Sequence, residues 1–169
     1  MFKQCDARWA KQIMQNATIC RVGCFMSSIS MALNGRSIAV PTINGSTVEA
    51  NPSTLDTWLQ THSGFIPIDI LDAATLPHLS LRISLGAPYM HRTNDLTYQQ
   101  VSAFMDAGKV VVANVLRGTH FVLLTAHLSA LPLTANMSSN SYLCNDPGFL
   151  TTSYIHADIT GFRIFSISS

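Results

Sequence analysis

Hydrophobic positions along the chain fall first into helical spacing and later into strand-length apolar runs. Phe25, Ile29 and Leu33 stand at i, i+4 and i+8 within residues 25–34, the spacing of one helix face. Gly35 follows as a helix stop signal. A second helix is predicted from about residue 53 to 60, with Leu55, Trp58 and Leu59 inward and Gly64 as its break. Thr97 reads as the N-cap of a third helix ending at Asp106, with Val101, Phe104 and Met105 on one face and Gly108 beyond its end. Residues 16–21 and 36–51 read as loops, the second with room for a short strand. Residues 65–95 support no long element, because Pro67, Pro77, Gly86 and Pro88 interrupt them.

The second half reads as strands. Residues 109–116 form a continuous Val-rich run of the kind found in a central strand. Gly118-Thr119 makes a turn, and residues 120–127 return as the partner of a hairpin. A Ser/Asn-rich loop over 128–141 precedes a short strand at 142–146, which stops at Pro147-Gly148. Phe162, Ile164, Phe165 and Ile167 mark a last strand over Gly161–Ile167. Helices first and strands later predict an α+β fold with an antiparallel sheet. No repeat or long linker divides residues 1–169, so a single domain is expected.

Composition narrows this further. The chain has 169 residues, 47% of them hydrophobic and only 11% charged, with formal net charge +1. An ordinary soluble domain carries about 25% charged residues. The length suffices for a real core, and the apolar fraction excludes disorder. Near-zero net charge argues against a nucleic-acid partner, and no apolar run reaches the roughly 18 residues of a membrane span. Sequons begin at Asn16, Asn44 and Asn136; about two arise by chance in a chain so rich in Ser and Thr. The amino terminus lacks an apolar signal region, so the chain is cytosolic or is numbered from a mature form. Sequons and a hydroxyl-rich surface lean towards a secreted or lumenal setting.

The cysteines are Cys5, Cys20, Cys24 and Cys144. Four fit two disulfides, a zinc site, or a reactive thiol with companions. The spacing of Cys20 and Cys24 does not match a zinc knuckle, and no second pair of ligands follows. Neither a metal nor another cofactor is therefore expected. Cys24 follows Gly23 at the start of the first helical pattern, where unpaired amides and the helix dipole favour a thiolate. Gly23 permits close approach of the chain.

Such a nucleophile needs a base that also carries the proton onward, and histidine suits both tasks near neutral pH. His120 opens a strand directly after a turn, from which it can reach a cleft. His127 lies towards the far end of that strand, while His62, His78, His91 and His156 read as loop or surface residues. Asp146, at a strand end before Pro147-Gly148, can fix the imidazole. The oxyanion needs donors: the Cys24 amide is one, and the Gln4 side chain is a candidate for the second.

Gln4-x-Asp6-x-Arg8-Trp9, Gly23-Cys24-x-x-x-Ser28-x-x-Met31, Thr119-His120-Phe121-Val122 and Asn145-Asp146-Pro147-Gly148 occur in that order. Together they resemble the papain-like cysteine peptidases of the bacteriocin-processing, double-glycine leader type, in its stand-alone branch. The resemblance implies a papain-like fold, with N-terminal helices packed on a C-terminal antiparallel sheet. It implies Cys24 as nucleophile, His120 as base, Asp146 as orienter and Gln4 as oxyanion donor. Trp9 would pack beneath the site, with Asp6 and Arg8 in structural polar contacts. The chain departs from the family at Phe121, where Trp is common, and in the Ser/Asn-rich insertion. Cleft-lining positions cannot be placed in residues 65–95.

With Cys24 reduced, one disulfide and one further thiol remain to be assigned. Cys5 with Cys20 is the most local pairing, and sequence does not decide the connectivity. The expected activity is thiol hydrolysis of a peptide or amide bond in a peptide or protein substrate. The same triad also fits an acyltransferase or transpeptidase, a glutamine deamidase, or a non-catalytic peptide-binding module. Sparse charge implies a cleft that does not steer charged substrates over long range.

Overall fold

The continuous apolar runs lie in the middle of an antiparallel sheet because both of its faces are buried. The structure is a computed structural model that describes residues 1–67, 70–86, 88–128 and 140–168. The Asn136 sequon and most of the Ser/Asn-rich stretch lie outside the described residues. The helices are α1 (Ile19–Val22), α2 (Cys24–Gly35), α3 (Pro52–Thr61), α4 (Leu76–Leu79) and α5 (Tyr98–Asp106). The strands of the first half are β1 (Val40–Pro41), β2 (Thr47–Val48), β3 (Phe65–Ile66), β4 (Ile70–Leu71), β5 (Ile83–Ser84) and β6 (Met90–His91). Those of the second half are β7 (Val110–Val115), β8 (His120–Leu128), β9 (Ser141–Asn145), β10 (Ser153–Ile155) and β11 (Gly161–Ile167). The protein is α+β, with a main sheet in the order β10-β9-β8-β7-β11-β5 and β6 also paired to β11. Among the described residues, no helix is long and apolar enough to cross a membrane.

Strands β7 and β8 form the expected hairpin, from Val115 opposite His120 to Val112 opposite Leu123. The C-terminal β11 lies against the other side of β7, from Gly161 opposite Asn114 to Phe165 opposite Val110. Val110, Val112, Phe165 and Ile167 join one core, into which α2 also packs. Val111, Ala113, Val115, Phe162 and Ile164 join a second core on the opposite face, beneath α5. Alternate side chains thus enter two cores, and β7 shows no polar alternation.

Local signals explain the long helices. Asn51 caps α3 in a reciprocal box with Thr54, and Thr97 caps α5 in the same way with Gln100. Gly108 follows α5 at φ +73°, the left-handed position that glycine adopts most cheaply. Gly35 is not the stop expected for α2, because it remains helical. Ser37 takes the left-handed turn at φ +53° instead. The Ile38 amide then donates to Leu33 O at 2.9 Å, and its side chain is buried in the first core.

The structure differs from the sequence reading elsewhere too. Part of the expected loop at 16–21 is helix α1, capped by the Thr18 hydroxyl and anchored by the buried Ile19. The strand expected through Leu116 stops at Val115. Leu116, Arg117 and Gly118 all have positive φ and turn the chain into His120. His91 and His156 are not loop or surface side chains. His91 is buried on β6 with Nδ1 2.9 Å from Asp95 Oδ2, and half-buried His156 meets the Tyr142 hydroxyl at 2.9 Å.

Candidate active site

Helices α1 and α2 are almost continuous, separated by Gly23 alone. The Gly23 amide donates to Ile19 O at 2.8 Å, and the Gly23 carbonyl accepts from Ser27 N at 2.8 Å. A Cβ at residue 23 would lie 2.5 Å from Ile19 O. Glycine is therefore required for one helix to end and the next to begin without a gap. Cys24 opens α2 half-buried, on the wall of a cleft of about 530 Å³.

His120 faces Cys24 across this cleft. It is the first residue of β8, aimed by the positive-φ turn before it. It is more enclosed than a turn edge suggests, being only 6% exposed. Its Nε2 lies 2.7 Å from Asp146 Oδ1, and the ring lines the same cleft as Cys24. With Nε2 occupied by Asp146, Nδ1 is the nitrogen left for the thiol. Phe149 closes over the imidazole edge-on, with ring centroids 5.0 Å apart. Burial pulls the His120 pKa down, but hydrogen bonds and charge from Asp146 and Cys24 outweigh it and raise the value to about 9.

Asp146 sits just past β9 and is 0% exposed. Such burial requires full satisfaction of the carboxylate. Oδ1 accepts from His120 Nε2, from Gly148 N at 2.8 Å and from Phe149 N at 2.9 Å. Oδ2 accepts from the Tyr154 hydroxyl at 2.9 Å. Burial pushes the carboxyl pKa up, but the His120 hydrogen bond and the two backbone donors hold it below the ordinary value. The Lys3 ammonium fastens this turn from outside, donating to Asp146 O at 2.6 Å and to Phe149 O. Sequence reasoning missed Lys3, Phe149 and Tyr154. The first adjoins Gln4 and the second adjoins Gly148, so both were within reach of motif reading, whereas only the fold brings Tyr154 back to Asp146.

Gln4 is fixed from three directions. Its amide donates to Pro147 O at 2.9 Å, and its Nε2 donates to Cys20 O at 2.7 Å. The next residue, Cys5, is disulfide-bonded to Cys20. The Gln4 Oε1 is buried with no hydrogen-bond partner among the described residues. A Cβ on Gly148 would lie 2.8 Å from His120 Cε1 and 3.6 Å from Gln4 Oε1, so both side chains converge over that glycine. Trp9 is buried below and donates through Nε1 to Lys3 O at 2.8 Å. Asp6 receives Arg8 through the backbone and the guanidinium. Cys144 is a buried thiol whose pKa burial pushes up to about 12, so it is unreactive.

Cys24, His120 and Gln4 therefore line one cleft, with Asp146 directly behind His120. The walls are mainly apolar, including Val22, Phe25, Leu71 and Leu116. Arg21 is the one lysine or arginine among the described lining residues, which include no aspartate or glutamate. No group of three or more His, Cys, Asp or Glu side chains able to hold a metal occurs among the described residues. Comparison of the chain with protein-family models, curated proteins and solved structures finds no match.

Proposed function

We propose that this chain is a papain-like thiol hydrolase that cleaves a peptide or amide bond. The observation that carries the reading is His120 on one cleft with Cys24, backed by a fully buried, four-donor Asp146. Cys24 Sγ attacks the substrate carbonyl as a thiolate while His120 holds the proton. The negative oxygen of the tetrahedral intermediate is received by the Cys24 amide and by the second N–H of the Gln4 carboxamide, whose first is engaged by Cys20 O. His120 passes its proton to the leaving amine, and the C–N bond breaks to leave a thioester on Cys24. His120 then takes a proton from water, whose oxygen attacks the thioester and releases the acid with the thiol restored. The apolar cleft suits uncharged substrate side chains. The Cys5–Cys20 disulfide supports a secreted or lumenal setting, where disulfides persist.

Replacement of Cys24 by Ala tests this directly. Wild-type protein should be alkylated at Cys24 by iodoacetamide and should release amine from a fluorogenic peptide-amide panel. Cys24→Ala should lose both. Hydrolysis that survives at the wild-type rate would sink the assignment.

A further inference from the structure

The Cys5–Cys20 disulfide occupies an unusual place relative to this site. One half-cystine immediately follows Gln4 in the chain. The other supplies the carbonyl that accepts the Gln4 carboxamide at 2.7 Å. The bridge therefore fixes the distance between the backbone that carries the amide and the backbone that anchors it. Cys5 is exposed and also lines the active-site cleft, while Cys20 is half-buried. Small-molecule thiols can reach the bridge. The rest of the arm has its own attachments, through Gln4 N to Pro147 O, Lys3 to the Asp146 turn and Trp9 to Lys3. Opening the bridge thus frees the Gln4–Cys20 spacing without releasing the whole segment.

We propose that the Cys5–Cys20 disulfide is the positioning element for the Gln4 oxyanion donor, and that its reduction switches the site down while leaving Cys24 reactive. This rests on the hydrolase reading above. In the switching step two thiol molecules are oxidised to their own disulfide, while Cys5 and Cys20 each gain a hydrogen as their S–S bond breaks. The site then has opposite redox demands: Cys24 must stay a thiol and Cys5–Cys20 must stay oxidised. Activity is highest in a window of thiol concentration rather than at full reduction.

The test compares two probes of one sulfur. p-Nitrophenyl acetate acylates Cys24 through an oxyanion, whereas iodoacetamide alkylates it without one. In Cys5→Ser/Cys20→Ser, acylation should fall at least tenfold, towards the roughly 10²- to 10³-fold cost of losing an oxyanion donor. Alkylation of Cys24, read by site-resolved mass spectrometry, should stay within about twofold. Gln4→Ala should lose acylation by itself, and adding the two serines should cost nothing more, since the effects share one route. Acylation unchanged in the serine variant overturns the proposal, as does a parallel fall in both rates or a further fall in the Gln4→Ala background. If the serine variant fails to fold, the wild-type chain reduced by tris(carboxyethyl)phosphine under native conditions takes its place, and unfolding there makes the bridge a staple and also overturns the proposal. An intact chain whose Cys24 resists iodoacetamide overturns the hydrolase reading itself, a separate result.

Discussion

His120 is bound to Asp146 through Nε2 and shares the cleft with Cys24, and its proton affinity follows from both. Its pKa is raised from an ordinary 6.5 to about 9, so the folded chain holds this proton more tightly than the unfolded chain. The resulting stabilisation is complete below about pH 6.5 and is lost as pH rises through about 9. Asp146 has the opposite sign. Its lowered pKa contributes stability above the ordinary carboxylate range, which is lost as pH falls through the lowered value. Melting temperature followed against pH should therefore decline at both ends. The alkaline limb of kcat should lie near pH 9, where His120 loses the proton owed to the leaving amine. Asp146→Asn removes the charge behind the imidazole. A hydrogen bond to a charged group contributes about 1.5–3 kcal/mol, so kcat should fall roughly ten- to a hundredfold. The alkaline limb should also move to lower pH. A limb that stays in place after this substitution would mean that Asp146 does not set the His120 proton affinity.

Two glycines separate element geometry from site geometry. A Cβ on Gly23 would meet the Ile19 backbone oxygen at 2.5 Å, at the junction of α1 and α2. That atom cannot move without shifting a helix. Gly23→Ala should therefore cost about 1–3 kcal/mol and lower the melting temperature by several degrees. A Cβ on Gly148 would press on the His120 ring, 2.8 Å from Cε1, while Gln4 Oε1 would lie at an ordinary 3.6 Å. The ring is held by Asp146 and covered by Phe149, so it can yield only by lengthening the 2.7 Å bond to Asp146. Gly148→Ala should lower kcat at least tenfold, through the weakened charged hydrogen bond, and its melting loss should shrink as pH rises through about 9, where that bond no longer holds a proton on His120. A Gly148→Ala melting loss as independent of pH as that of Gly23→Ala would refute this distinction. The same contrast between local and distant causes governs what the sequence reveals. Helices α3 and α5, the Thr97 cap of α5, and strands β7, β8 and β11 are legible because each is set by its own residues. Residues 65–95 are illegible because their strands are two residues long, and β5 and β6 exist only by pairing with β11 far along the chain. The site divides likewise. Cys24, His120, Asp146 and Gln4 sit in short motifs, whereas the Tyr154 hydroxyl reaches Asp146 through the β9–β10 pairing.

At the scale of the whole molecule, one sheet separates two cores, and only one of them takes in helix α2. Helix α2, which starts at Cys24, packs on β7 and β8 from the face that carries Val110, Val112, Leu123 and Phe165. The opposite face carries Val111, Val122, Tyr142 and Phe162 and is covered by α5. Phe162 is fully buried there, stacked against His156 at 6.0 Å. Phe162→Ala should cost about 3–5 kcal/mol, the range for deleting a buried phenyl ring. That is a large share of the roughly 5–15 kcal/mol that holds a domain folded, and it should lower the melting temperature on the order of 10 °C. Because the lost contacts lie across the sheet from α2, the surviving folded molecules should acylate Cys24 at the wild-type rate. Phe165→Ala removes the same ring from the core that α2 shares and should slow acylation as well as lowering the melting temperature. Circular dichroism supplies the melting curves, and acylation per titrated Cys24, taken well below each transition, supplies the rates. The sheet insulates its two faces if only Phe165→Ala slows the reaction; equal slowing by both variants would mean that strain on either face reaches the site.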